Sequence, residues 1–102
     1  MTSRDIVVNS ATEDQLLSYV TDMLGYKGWL WHHAGDSRRS SAGLPDIVAV
    51  RGGRVIFAEL KTAKGRFRAE QLRWFDRLLA CPGVETYCWR PMDLEDIAEI
   101  LA

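Results

Sequence analysis

No apolar run in these 102 residues is long enough to cross a membrane. The opening stretch, MTSRDIVVNSATEDQ, has no apolar segment followed by a small-residue cleavage site. Both absences lead us to expect an intracellular, cytoplasmic protein with no membrane partner. Cysteine is scarce: Cys81 and Cys88 make no metal-ligand or redox spacing, so they are expected to be reduced, packed thiols. Net charge is also nearly absent, at −1, which argues against a general nucleic-acid binder. Internal repeats, low-complexity tracts and a second domain are missing as well.

What is present is an ordinary globular composition, 47% hydrophobic and 26% charged, in a length that suits one compact domain. That length is short for a self-contained enzyme, which makes dimerisation a reasonable expectation. Residues 1–11 read as a loosely ordered segment and 12–102 as the domain. Thr12 with Gln15 fits a capping box for a first helix carrying Leu16, Leu17, Val20, Met23 and Leu24, with Gly25 as its stop. Trp29 to His33 is strand-like, and Ala34 to Pro45 reads as a mobile basic loop. Two strands around Gly52-Gly53 follow. A second helix, about 69 to 80, presents Leu72, Phe75, Leu78 and Leu79 on one face. A strand from Val84 to Trp89 and a last helix begun by Asp93 complete the order α-β-β-β-α-β-α. A helix between the third and fourth strands favours an α/β fold, a mixed sheet flanked by helices.

The hairpin LPDIVAVRGGRVIFAELKT, residues 44–62, carries the first hint of chemistry. With Gly52-Gly53 as the turn, Val50 faces Val55, Val48 faces Phe57, Ile47 faces Ala58 and Asp46 faces Glu59. Lys61, two residues past Glu59, points to the same face. Like charges directly across a ladder are destabilising, so the two carboxylates call for a compensating cation. Lys61 is one. A divalent ion shared by carboxylates with Cβ atoms roughly 5 Å apart is another, and an oxygen-only donor set suits Mg²⁺ or Mn²⁺. The plainer alternative is charged residues meeting solvent at strand ends. Glu13 lies on the inward stripe of the first helix, and equally is a favourable acid in a first turn. Gln71 stands one turn before Phe75, where a boundary polar residue would also stand.

Taken together, GLPDIVAVRGGRVIFAELKT and KGRFRAEQLRWFDRL resemble the VRR-NUC family, the virus-type replication-repair nucleases of the PD-(D/E)XK superfamily. Pro45-Asp46 and Glu59-Leu60-Lys61 match the superfamily pattern, Gln71 and Trp74 match the family's Gln and following aromatic, and Glu13 matches its helix-one acid. The likeness runs from about Thr12 to Ile97. It departs at Arg68-Ala69, where members often carry Ser-Pro, so a hydroxyl cap is lost. The resemblance implies a restriction-endonuclease-like PD-(D/E)XK core. It implies Mg²⁺ or Mn²⁺ held by Asp46, Glu59 and the Leu60 carbonyl, with Glu13 on a metal-bound water or second metal. Lys61 would activate the attacking water and steady the phosphorane charge, and Gln71 would brace Lys61 or the phosphate. The implied reaction is phosphodiester hydrolysis without a covalent intermediate. Small stand-alone members resemble homodimeric endonucleases acting on branched DNA, four-way junctions above all.

Charge distribution agrees with a DNA partner. Ten basic residues and four acids lie between Ser37 and Leu79, whereas five acids and one base follow from Glu85 onward. Arg38, Arg39, Lys64, Arg66, Arg68 and Arg73 are the candidates for DNA-backbone contacts, with Arg77 four residues after Arg73. Each could equally be a solvated surface charge. Trp29 and Trp31 suit a core or an interface, and His32 and His33 point to opposite faces of their strand. The alternatives for function are the same chemistry on flap, nicked or single-stranded DNA, and a non-catalytic DNA-binding module on the same fold.

Overall fold

The computed structural model describes residues 8–34 and 41–102. Arg38, Arg39 and most of the expected loosely ordered segment, residues 1–7, lie outside the described residues.

Helix α1 spans Glu13–Tyr26 and starts where its side chains compel it to. Thr12 Oγ1 accepts from the Gln15 backbone N–H at 3.1 Å, and Gln15 Oε1 accepts from the Thr12 N–H at 2.9 Å. The box satisfies donors that the first turn would otherwise leave unpaired. Leu16, Val20 and Leu24, four apart, form the buried stripe. The helix runs through Gly25, contrary to the sequence reading, and it is Gly28 that takes the left-handed conformation, φ 76°, just beyond it. Gly25 has helical backbone, so its missing Cβ ends nothing there.

Strand β1 (Leu30–His33) pairs antiparallel with β2 (Ile47–Arg51), and β2 pairs antiparallel with β3 (Arg54–Leu60). Gly52 and Gly53 both have positive φ, 56° and 82°, the two-residue turn that suits the twist of a hairpin. The observed partners are Val50 with Val55, Val48 with Phe57 and Ile47 with Ala58, the expected register. Helix α2 (Ala69–Leu79) then crosses over to β4 (Glu85–Trp89), which lies parallel to β3. A short 3₁₀ turn, Pro91–Asp93, leads into α3 (Leu94–Leu101). The sheet order is β1-β2-β3-β4, mixed and flanked by helices, as expected for a PD-(D/E)XK-like core.

Strand alternation divides the sheet into two faces with different duties. One face buries Ile47, Ala49, Ile56, Ala58, Leu60 and Trp89 against Leu16, Val20 and Leu24 of α1 and Ile97 and Leu101 of α3. Arg51 fastens this layer: its guanidinium donates to the carbonyls of Lys27, Leu101 and Ala102 and lies 4.5 Å over the Trp29 ring. The other face carries Glu59, with α2 packed beside β4.

Two expectations about apolar residues fail. Gln71 is the buried residue of α2, whereas Leu72 and Leu79 are 45% and 57% exposed. The helix packs chiefly on β4, so much of its apolar stripe has no sheet beneath it among the described residues. Cys81 is exposed rather than packed, at the end of the same helix, and Cys88 is half-buried on β4.

Gly43 sets the approach of the segment leading to Asp46. Its φ is 85°, and a Cβ there would collide with the backbone carbonyl of Glu70 at the start of α2. We expect Gly43→Ala to destabilise the protein by about 2 kcal/mol, from positive φ and backbone collision together. Urea unfolding checks this; an unchanged midpoint would mean that the segment does not bear on α2.

Candidate active site

Burying a charge is costly unless it is paired and hydrogen-bonded. Among the described residues the buried polar and charged side chains are Glu59, Lys61 and Gln71, exposed by 3%, 7% and 8%. All three meet in one cluster. Glu59 points to the α2 face because Ala58 and Leu60, its neighbours on β3, fill the core. Lys61 follows directly after the strand, where its N–H donates to the Trp89 carbonyl at 3.0 Å.

Gln71 joins the two charges. Its Oε1 accepts from Lys61 Nζ at 2.7 Å and from the Arg68 backbone N–H at 2.9 Å, and its Nε2 donates to Glu59 Oε1 at 3.2 Å. Lys61 Nζ is 4.0 Å from Glu59 Oε1 and 5.4 Å from the centre of the Phe67 ring. One amide thus offers an acceptor to the cation and a donor to the anion, which fixes its orientation. The Gln71–Arg68 bond also supplies half of a capping box for α2, the half that satisfies the Arg68 N–H.

Asp46 lies one residue before β2, opposite Glu59 by continuation of the register. Its Oδ2 accepts from the Leu60 N–H at 2.8 Å, and its own carbonyl accepts from the Ala34 N–H at 2.8 Å, extending the β1–β2 ladder. Burial, then a hydrogen bond to Asp46 and the charge of Asp46, push the Glu59 carboxyl up to about 8. Glu13 adds to the rise and Lys61 opposes it. Burial and the facing Asp46 therefore disfavour a second negative charge on Glu59 unless a further cation is present.

Glu13 is exposed in the first turn of α1, so the expected place on the inward stripe is corrected to the rim of a cleft. The cleft, about 190 Å³, is lined by Glu13, Asp14, Leu17, His33, Asp46 and Leu60. Helix start and apolar stripe coincide in spacing, but Leu16, not Leu17, takes the fully buried row, which turns Glu13 outward. Among the described residues no group of three or more His, Cys, Asp or Glu side chains converges closely enough to hold a metal by itself. The donors at hand are the facing carboxylates of Asp46 and Glu59 with the Leu60 main chain beside them. Two facing carboxyl groups short of positive charge are chemically suited to a hard divalent ion, whose binding displaces protons.

Lys64, Arg66 and Arg68 are exposed on the segment leading from Lys61 to α2, and Arg73 and Arg77 are exposed on α2 itself. One residue at the site gave no signal in the sequence, and one of the paired histidines of β1 lines the cleft. Arg90, a lone base in an acidic tail, donates from Nη1 to the carbonyls of Thr62 at 2.7 Å and Gly65 at 2.8 Å, pinning the turn after Lys61. His33, at the end of β1, lines the cleft beside Asp46. Trp29 is core, and Trp31 is 40% exposed at the sheet edge.

The raised Glu59 carboxyl links stability to pH. Folded Glu59 binds its proton more tightly than the unfolded chain does, so this stabilisation is present below about 4.5 and is lost as pH rises through about 8. In chelator we expect the unfolding free energy to fall across that window. The fall should be shallow in Glu59→Gln, and magnesium should offset it at the alkaline end. A Glu59→Gln profile as steep as the native one would assign the titration to another group.

No family model matches the chain, and no curated protein does. A solved structure described as a VRR_NUC domain superimposes on it with a TM-score of 0.68 at 21% identity, over 87% of this chain and 97% of that one. The chain has the fold of a VRR_NUC domain.

Proposed function

We propose that this chain is a VRR-NUC nuclease of the PD-(D/E)XK type, a divalent-metal-dependent endonuclease that hydrolyses phosphodiesters in branched DNA. Its substrate on this reading is the four-way junction, cut by a homodimer in the cytoplasm. The observation that carries the nuclease reading is the buried Glu59–Gln71–Lys61 chain facing Asp46. A fold alone would not do so. A buried carboxylate and a buried ammonium held apart by one amide are costly for stability and well suited to a reaction that moves negative charge.

Asp46, Glu59 and the Leu60 carbonyl would hold Mg²⁺ or Mn²⁺, with Glu13 on the cleft rim as an outer acceptor for metal-bound water. Such an ion supplies Lewis-acid polarisation of the phosphate and a water of lowered pKa. Lys61 orients the attacking water and steadies the charge that accumulates on the phosphate oxygens. Gln71 keeps the Lys61 ammonium in place, and Arg90 holds the turn that sets its direction. Water adds its oxygen to phosphorus, the bridging oxygen departs with a proton, and no bond to the protein forms.

Lys64, Arg66, Arg68 and Arg73 grip the sugar–phosphate backbone, which positions a duplex without reading its sequence. The dimer is supported by apolar side chains that the described fold leaves uncovered: Leu30 at 78% exposure, Val50, Leu72 and Leu79.

The test incubates pure protein with labelled four-way junction, flap and linear duplex in Mg²⁺ or Mn²⁺. Paired symmetric nicks in the junction are expected, with Glu59→Ala and Lys61→Ala each lowering cutting by a factor of about 10² or more. Cutting of flap or linear DNA instead would retain the nuclease and discard the resolvase. A Glu59→Ala protein that still cuts would remove the metal assignment. For Arg66→Ala with Arg68→Ala, the slope of log affinity against log salt should become shallower by about 2. An unchanged slope would place these arginines away from DNA.

A further inference from the structure

We infer that the groove on the outer flank of α2 seats an unpaired nucleotide of the DNA substrate, its base stacked on Trp74 and its phosphates held by Arg73 and Arg77. This rests on the nuclease reading above, though not on junction geometry. The groove encloses about 540 Å³, and Glu70, Arg73, Trp74, Arg77 and Leu78 line one wall with Ala42 across from them. That volume falls within the range of sites that hold small molecules, roughly 300–1,000 Å³.

The helical spacing of the lining residues puts them on one stripe of α2, adjacent to the row that carries Gln71. Gln71 is hydrogen-bonded to both Glu59 and Lys61. From Gln71 to Arg77 the helix rises about 9 Å, so a nucleotide held there lies within a few nucleotides of the reacting phosphate. A base seated here therefore belongs to the strand being cut or to its immediate partner.

Composition separates an unpaired nucleotide from a duplex. A duplex offers this surface only phosphates, for which the two arginines suffice. It leaves the apolar wall of Trp74 and Leu78 in contact with nothing. Trp74 is 37% exposed, a large indole that lines the groove. An aromatic platform flanked by arginines is the arrangement that holds single-stranded nucleic acid, because every base has a face to stack. Arg73 and Arg77 make no ion pair with described residues, so both are available to phosphates. Glu70, at the opposite end of the stripe, would repel a phosphate and accept from a base amino group, which sets the nucleotide's direction.

The test uses the full chain in Ca²⁺ in place of Mg²⁺, with two labelled probes: a blunt duplex and the same duplex bearing a single-stranded tail. Trp74→Ala is expected to weaken binding of the tailed probe roughly 5- to 150-fold, with a much smaller change on the blunt one. Trp74→Phe should keep most of the preference, and thermal unfolding of both variants checks that the fold survives. Equal loss on both probes, or no loss on either, would overturn the seat. A change of oligomeric state in Trp74→Ala would also overturn it and make the groove a protein interface. Native protein that prefers the tailed probe through Trp74 but cuts no DNA would keep the seat and remove the nuclease. Native protein that binds neither probe would remove both.

Discussion

The arrangement on which the rest depends is a carboxyl and an ammonium buried 4.0 Å apart and joined by a single amide. Neither charge could be held there alone, because the loss of hydration would exceed what packing returns. Gln71 meets the cost from both sides, accepting from Lys61 and donating to Glu59. Its place on α2 thereby ties the helix to the end of β3. Asp46 then raises the stakes. By facing Glu59 it makes the pair unfavourable as two anions, a cost that a bound cation would relieve.

The fold serves this arrangement through strand alternation. The residues on either side of Glu59, Ala58 and Leu60, are among the most deeply buried in the core, so Glu59 has one direction to take. The tight Gly52-Gly53 turn transmits the register without slip, and a shift of one residue would carry Asp46 to the opposite face. Arg51 and Trp29 fasten α3 and the end of α1 to the far end of the same hairpin. Arg90 fixes the turn beyond Lys61 at the near end. Both ends of the hairpin that carries Glu59 are thus anchored by arginines that donate to main-chain carbonyls.

Helix α2 does less for the core than its apolar pattern suggests and more for the site. Its buried residue is a glutamine, while Leu72, Trp74 and Leu79 remain open. A helix that leaves large apolar side chains in solvent has a surface to offer. On this molecule that surface adjoins Gln71, which places any partner it takes next to the buried Glu59–Lys61 cluster.

The local elements were legible from the sequence because short-range rules decide them. Thr12 and Gln15 cap a helix wherever they stand three apart, and two glycines close a hairpin in one register. That register placed Asp46, Glu59 and Lys61 on one face before any coordinates, and the nuclease resemblance assigned them roles. Several features escaped the sequence: Glu13 turned to the rim, Gly28 rather than Gly25 after α1, the open face of α2, and the part taken by Arg90. Each depends on which surfaces meet, and spacing along a chain states only which residues share a face. Whether that face finds a partner is decided when α2 settles on β4 rather than, among the described residues, on the first two strands, and when Arg90 reaches two carbonyls more than twenty residues away in sequence.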